Sequence, residues 1–306
     1  LDDPTANQRP DMTPLTLRTL ADLAALPVDT IIDVRAPSEF AEDHLPGAIN
    51  LPVLNDAERA EVGTRYKRTS PFYARKIGAA LVARNTAAHL VGPLADKQGD
   101  WQPLVYCWRG GMRSNSMATI LSSVGWPSGV VKGGYKTWRR EVVTGLEHED
   151  SRLPVRLIDG QTGTGKTALL QAIAAAGGQV IDLEGLAHHR GSAFGDLGDA
   201  PQPAQRLFES GIWQQLRQFD LSRPVFVEAE SARVGRCRVP RRLWHSMLAA
   251  PRIEMRVPSD VRADFLLSAY EDIIRDKDRL MEALAKLKGL QSKETLAEWQ
   301  ALAEAG

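Results

Sequence analysis

Two stretches of the chain combine residue types and spacing that could do chemistry. One is Gly160-Gln161-Thr162-Gly163-Thr164-Gly165-Lys166-Thr167, set between an apolar run, Val155 to Ile158, and the helix-forming Ala168-Leu169-Leu170-Gln171-Ala172-Ile173. Strand, glycine-rich turn and helix start are the context in which backbone amides converge on an anion. The helix adds its positive end and Lys166 a point charge. Gly160, Thr162, Gly163, Thr164, Gly165, Lys166 and Thr167 are therefore expected to hold a phosphate. The motif alone leaves open which phosphate, and whether it is hydrolysed.

The second stretch is Cys107-Trp108-Arg109-Gly110-Gly111-Met112-Arg113-Ser114, again between a buried-type strand and a helix. Turn amides, a helix N-terminus and nearby arginines all favour thiolate over thiol. A nucleophile held this way can attack a group whose developing charge the same amides stabilise. Cys107, with Arg109 and Arg113, is the expected catalytic set. The spacing Cys-x5-Arg-Ser fits sulfur-group transfer and equally a cysteine-dependent phosphatase, for which Asp33 or Glu39 would have to supply the leaving-group acid. Cys237, in an arginine-rich loop, is read as non-catalytic, and two cysteines in different halves make neither a disulfide framework nor a metal cluster.

Short apolar strands alternating with helices must position these loops. Strands are expected at 30–34, after the His44-Leu45-Pro46-Gly47 turn, at 104–106 and at 129–131, with helices at 15–26, across most of 56–90 and at 114–124. Beyond the phosphate loop, strands at 180–183, 224–227 and 253–257 alternate with helices at 204–218 and 240–249, and a long helical tract covers 259–288. The pattern predicts two α/β domains with parallel sheets, 12–143 and 155–306, the second ending in helices, joined by a charged linker at 144–154.

A length of 306 residues suits two such domains, and 43% hydrophobic with 25% charged residues is an ordinary globular composition. No apolar run is long enough for a membrane helix. The first residues lack a basic-then-apolar leader, so a cytoplasmic location is expected. Net charge is zero, yet ten arginines fall between Arg217 and Arg262, and Arg59, Arg65, Lys67, Arg68, Arg75 and Lys76 form a second basic run. Such clustering in a neutral protein suggests a polyanion; solvated helix faces are the plainer explanation. Arg65, Lys67, Arg68, Arg233, Arg236, Arg238, Arg241 and Arg242 are the candidate RNA contacts.

The first domain resembles a rhodanese in Ile32-Asp33-Val34-Arg35, Glu39-Phe40, His44 to Asn50, the Cys107 loop and Lys132-Gly133-Gly134-Tyr135-Lys136-Thr137-Trp138. Fused in this order to a phosphate-loop domain, it resembles the bacterial tRNA 2-selenouridine synthases. The more specific strings agree: Val62-Gly63-Thr64-Arg65-Tyr66-Lys67, His189-Arg190-Gly191-Ser192-Ala193-Phe194-Gly195 and Val227-Glu228-Ala229-Glu230-Ser231. The resemblance implies action on wobble 2-thiouridine of tRNA: geranyl transfer from geranyl diphosphate to sulfur, then selenium for sulfur from selenophosphate. It implies Cys107 as the essential cysteine, in a loop one residue longer than in ordinary sulfurtransferases. It also makes Glu228, Glu230, Ser231, His189, Arg190 and Ser192 auxiliary residues, with Mg2+ at Thr167 assisted by Glu228 or Glu230 as an optional ligand. No tightly bound cofactor or structural metal is implied; selenophosphate synthase is a candidate partner. Glu228 and Glu230 stand where many NTPases carry an Asp, which argues against ATP hydrolysis. A P-loop ATPase or kinase bearing a sulfurtransferase or phosphatase domain, and a non-catalytic RNA-binding module, stay open as alternatives. The resemblance also implies a longer C-terminal segment than this chain has.

Overall fold

The structure, a computed structural model, describes residues 15–17, 28–68, 70–148, 151–192, 194–195, 197 and 200–305. The chain divides into two compact units, Leu1–Thr144 and Gly145–Gly306.

In the first unit five strands form one sheet: β1 (Leu15–Leu17), β2 (Thr30–Asp33), β3 (Ala48–Asn50), β4 (Pro103–Tyr106) and β5 (Gly129–Val131). Their order is β1-β5-β4-β2-β3 and every pairing is parallel. β4 lies at the centre with all four residues buried, as expected of a strand covered on both faces. Its C-terminal end delivers Cys107 to the loop before helix α4 (Met112–Val124). That helix packs Met117, Ala118 and Leu121 into the core and stops at Gly125, whose left-handed backbone (φ 114°) lets its N–H reach Leu121 O and Ser122 O. The short helix α1 (Pro37–Glu42) follows β2. The 56–90 tract is two helices, α2 (Asp56–Arg68) and α3 (Pro71–Val91), the second capped by the Ser70 hydroxyl, which accepts from Phe72 N–H. Helix α5 (Tyr135–Val143) closes the unit.

Leu15–Leu17, expected to open a helix, is instead the edge strand β1, held by Val130 and its neighbours on β5; the rest of that expected helix lies outside the described residues. The first part of the 144–154 span, expected as a linker, is a π-helical turn, Thr144–His148, with Gly145 and Leu146 buried. A Cβ on Gly145 would lie 2.1 Å from the Trp213 ring, so the turn closes only on glycine.

The second unit has a four-stranded parallel sheet, β6 (Val155–Asp159), β7 (Gln179–Ile181), β8 (Val225–Glu228) and β11 (Arg252–Glu254), in the order β11-β6-β8-β7. The chain runs from β6 past the place of β8 to β7, then returns. The C-terminal ends of β6 and β8 therefore adjoin, and crevices at such reversals are where open α/β sheets bind ligands. Helices α6 (Lys166–Ala175), α7 (Leu183–Ala187), α8 (Gln205–Leu216) and α9 (Arg241–Leu248) accompany the sheet, and β9 (Arg233–Val234) pairs with β10 (Cys237–Arg238) as a small antiparallel hairpin. The tract 259–288 is broken into α10 (Ser259–Ala269), α11 (Glu271–Ile274) and α12 (Lys277–Ala285), followed by α13 (Lys293–Ala305). The first break falls at Tyr270 (φ −115°); after the second, Asp276 caps α12 by accepting from Arg279 N–H. No described helix is long and apolar enough to cross a membrane.

Candidate active sites of the two units

Cys107 is only 4% exposed. Its Sγ accepts from Gly111 N–H and from the Ser114 hydroxyl, each at 3.2 Å. Burial works against the thiolate, but the Ser114 hydroxyl and the amides of Ser114, Gly111 and Arg109 outweigh it and hold the thiol below its ordinary pKa. The loop is braced from behind: Tyr135 N–H donates to Cys107 O (2.9 Å) and Lys136 N–H to Trp108 O (3.1 Å). Gly134 (φ 58°) makes this approach possible, since a Cβ there would lie 2.2 Å from Cys107 O and 2.5 Å from Gly110 N.

The two arginines differ. Arg109 is exposed and, among the described residues, makes no ion pair. Arg113 is engaged by Glu39 (Nη1 to Oε2, 2.7 Å), and Arg59 stands 3.8 Å from the same oxygen. Arg113 thus positions the start of α4 against α1, and its charge is already answered by Glu39, which it holds below the usual carboxylate range against the opposing effect of burial. Asp33, the other candidate acid, is fully buried and bound by Arg35 (2.6 Å), whose guanidinium lies 4.0 Å from the centre of the Tyr135 ring. Neither carboxylate is free to protonate a leaving group.

In the second unit the phosphate loop links β6 to α6, with Gly160, Gly163 and Gly165 at φ of 156°, 85° and 79°. Lys166 Nζ donates to Gly160 O at 2.8 Å. Thr162, Gly163, Gly165, Lys166 and Thr167 line a cavity of about 270 Å3, together with Glu184, Arg190, Ser192, Glu230 and the α10 residues Phe265 and Leu266. Gly160 and Thr164 face a separate cleft beside Arg252 and Arg262. The auxiliary residues sort likewise. Arg190 lines the cavity, paired with Asp272 at 2.8 Å and set over the Tyr270 ring, and the Ser192 hydroxyl lies 2.8 Å from Tyr270 OH. His189 accepts from Gly191 N–H and Ser231 Oγ donates to Arg233 O; neither lines the cavity.

Glu184 is a residue that sequence reasoning missed. Its Oε2 accepts from the Thr167 hydroxyl (3.0 Å), and its carboxyl is hydrogen-bonded to that of Glu230. Burial, and for Glu230 the charge of Glu184, raise both above the ordinary carboxylate range. Glu228 sits behind them, 1% exposed, accepting from Glu184 N–H (2.8 Å), and burial pushes it up to about 8. The signal available was position: Glu184 follows β7 as Glu230 follows β8, both at carboxyl ends of strands. Next to this polar cavity lies an apolar one of about 480 Å3, lined by Thr162, Ser192, Phe194, Leu266, Leu267, Tyr270 and Ile274. The two share Thr162, Ser192, Leu266 and Tyr270.

Of the candidate RNA contacts, Arg65, Lys67 and Arg68 are exposed at the end of α2, and Arg233, Arg236 and Arg238 are exposed on the β9–β10 hairpin. Arg241 bonds Glu147 O (3.1 Å). Arg242 does not belong to this group: it is 6% exposed, and its guanidinium is spent on Gly145 O, Ser151 O and Ser151 Oγ, strapping α9 to the start of the unit. Cys237 is buried, which raises its thiol pKa.

A parallel sheet presenting a cysteine in an amide-lined loop, and a second sheet presenting a phosphate loop, define a rhodanese-type unit joined to a P-loop-type unit. Residues 16–141 match the rhodanese-like domain family and residues 153–300 match the family described as the tRNA 2-selenouridine synthase AAA domain. The chain is 38% identical over 255 residues to tRNA 2-selenouridine synthase of Nitrosomonas europaea, covering 81% of this chain and 66% of that protein. It is 37% identical over 255 residues to that of Aeromonas salmonicida (82% and 67%), and 37% identical over 263 residues to that of Chromohalobacter salexigens (85% and 70%). The chain belongs to the tRNA 2-selenouridine synthase family, and spans about two thirds of the length of these relatives.

Proposed function

We propose that the protein modifies 2-thiouridine at the wobble position of tRNA in two steps, S-geranylation from geranyl diphosphate and then replacement of the geranylated sulfur by selenium from selenophosphate. The observation that carries this reading is the shared wall between the phosphate-loop cavity and the apolar cavity. A diphosphate on a hydrocarbon chain needs such a pair of compartments; a nucleotide would leave its polar base and ribose against Phe194, Leu266, Leu267 and Ile274.

In the first step the thiocarbonyl sulfur of the base attacks the allylic carbon. A C–S bond forms, the C–O bond to diphosphate breaks, and the base loses its ring N–H proton. Lys166 and the loop amides offset the charge that grows on the departing diphosphate. Among the described residues no group of three or more His, Cys, Asp or Glu is arranged to hold a metal. The Thr167 hydroxyl with Glu184 and Glu230 nevertheless offers hard oxygen donors of the kind Mg2+ takes alongside substrate phosphates. Bound there, Mg2+ would add to the neutralisation that Lys166 provides.

In the second step a C2–Se bond forms, the C2–S bond breaks, sulfur leaves as geranyl thiol, and the phosphate of the donor passes from selenium to water. Selenium stays at the selenide level throughout: the Cys107 thiolate displaces geranyl thiol from C2, and selenide from the donor then displaces Cys107, with Arg109 the cation beside the loop. Engagement of Asp33 and Glu39 by arginines weighs against the phosphatase reading, and Glu228, protonated near neutral pH, is poorly suited to activate water for ATP hydrolysis. Mass analysis of thiolated tRNA incubated with the protein, geranyl diphosphate and selenophosphate tests the proposal: S-geranyl-2-thiouridine is expected with the first donor alone and 2-selenouridine with both. An unaltered wobble base under every combination would sink it.

A further inference from the structure

The junction of α2 and α3 in the first unit is not used by either active site, yet its surface is unusual. Helix α2 has no fully buried residue along its length, and Val62 is the residue through which it packs against the core. It approaches α3 through Val62, whose Cγ1 lies 3.4 Å from where a Cβ on Gly78 would stand. From Val62 to Lys76 the sequence holds five cations, Arg65, Lys67, Arg68, Arg75 and Lys76, and no carboxylate. Arg65 pairs with Glu61 on its own helix; among the described residues Lys67, Arg68 and Lys76 pair with no carboxylate.

Helix electrostatics explains only half of this. Cations in the last turn of α2 suit its negative end. Arg75 and Lys76, in the second turn of α3, gain nothing from either end of that helix, whose first turn has no acidic residue; Arg75 Nε donates to Pro71 O at 3.2 Å. Interleaved with them are Tyr66, Phe72 and Tyr73, respectively 55%, 65% and 60% exposed, the last two meeting edge to face at 5.8 Å. No large aliphatic side chain is exposed between Val62 and Lys76. Flat rings set among cations are what unpaired nucleotides stack on while their phosphates are neutralised.

We propose that the α2–α3 junction is a stacking platform for unpaired nucleotides of an RNA loop, with Tyr66, Phe72 and Tyr73 contacting bases and Lys67, Arg68, Arg75 and Lys76 the backbone. The inference rests on the reading that tRNA is the substrate, and assigns its single-stranded part to this surface. A fully paired helix presents no free base faces and engages only the cations.

Fluorescence anisotropy on the full chain separates the contributions, using an RNA stem–loop with a seven-nucleotide loop, a uridine oligomer and a blunt duplex of equal charge. Replacing Tyr66, Phe72 and Tyr73 together by Ala is expected to weaken binding of the stem–loop and the oligomer by roughly tenfold or more and to leave duplex binding unchanged. Tyr66→Phe, which keeps the ring, should bind like the parent. The triple variant Lys67→Ala, Arg68→Ala, Lys76→Ala should weaken all three probes and flatten the salt dependence. The aromatic residues are exposed, so an unaltered melting temperature should accompany their loss. Stem–loop binding untouched by loss of the rings overturns the platform and returns the patch to a protein partner, with the tRNA reading intact. Ring-dependent binding of unpaired RNA by a protein that never alters thiolated tRNA would uphold the platform and overturn the tRNA reading. Failure to bind any unpaired RNA overturns the platform, while the tRNA reading stands or falls with the modification of thiolated tRNA.

Discussion

The Cys107 loop and the phosphate loop are built alike and serve opposite ends. Each follows a buried parallel strand, turns on glycines with positive φ and opens a helix, so each points amides at a place where negative charge is favourable. In the first unit that place is filled from within: the amides meet the protein's own sulfur, the turn is packed against Gly134, and Cys107 is almost closed to solvent. In the second the loop borders a cavity whose lining includes the carboxyls of Glu184 and Glu230. Their titratable groups shift in opposite senses although burial opposes charge in both. Around Cys107 the donors outnumber the acceptors and the thiol falls. Around Thr167 the carboxyls of Glu184 and Glu230 face each other with few donors, and both rise. The number of N–H and O–H groups aimed at a site, not its depth, decides the sign.

The sharpest way to break this comparison is to remove each loop's defining group. Cys107→Ser should abolish selenium incorporation while S-geranylation continues; Lys166→Ala should slow geranyl transfer by roughly a hundredfold or more and leave the Cys107 thiol unaltered. Loss of both products from either single variant would show that the loops do not act separately. A structural version of the contrast comes next. Gly134→Ala would drive a methyl into Cys107 O and Gly110 N, costing about 2 kcal/mol or more and disturbing the thiolate cradle. Gly165→Ala meets nothing within 4 Å and carries only the cost of its positive φ, about 1 kcal/mol. Denaturant midpoints and the pH at which thiolate absorbance appears would measure both; equal losses would mean that the Cys107 loop is no more tightly packed than its counterpart.

The two loops and their strands were legible because glycine spacing and continuous apolar runs are local signals, and β2, β4, β6 and β8 lie close to where those runs predict. What was not legible depends on partners distant in sequence. Leu15–Leu17 is a strand only because β5 offers it an edge 114 residues later, as in the Leu15 to Gly129 pairing. Arg242 stands in an arginine-rich string that reads as exposed, yet the carbonyls of Gly145 and Ser151 make it internal. Leu266, Tyr270 and Ile274 share a face by their spacing of four, but that this face meets Thr162 and Phe194 depends on the fold, which also breaks the expected helical tract at Tyr270. Glu184 carried no motif; Thr167 finds it through the fold.

The raised carboxyls should be visible in stability. Glu228 keeps its proton to about pH 8 when folded, against an ordinary value of 4.5. Between those values the folded state binds more protons than the unfolded, so stability of the second unit falls as pH rises through that window. Glu228→Gln keeps the acceptor oxygen for Glu184 N–H and removes the titration. The variant should gain on the order of a few kcal/mol over the parent at pH 8 relative to pH 5, read as the difference in urea midpoints. A parent and variant with the same pH slope would mean that Glu228 is charged in the fold, and the contrast with Cys107 would lose its strongest case.

The smallest expected effect tests the donor-counting argument most directly. The Ser114 hydroxyl lies 3.2 Å from Cys107 Sγ and 3.0 Å from Gly111 O, and its single proton can serve only one of them. The carbonyl competes while the sulfur is protonated; the thiolate, as the charged acceptor, draws the proton to itself. Ser114→Ala should therefore raise the thiol pKa, but not to its ordinary value, since the amides of Gly111, Ser114 and Arg109 remain. Titration of thiolate absorbance in parent and variant reads the shift. A rise all the way to the ordinary thiol value would make one hydroxyl, rather than the amide cradle, the source of the lowered pKa, and the likeness to the phosphate loop would then be one of shape alone.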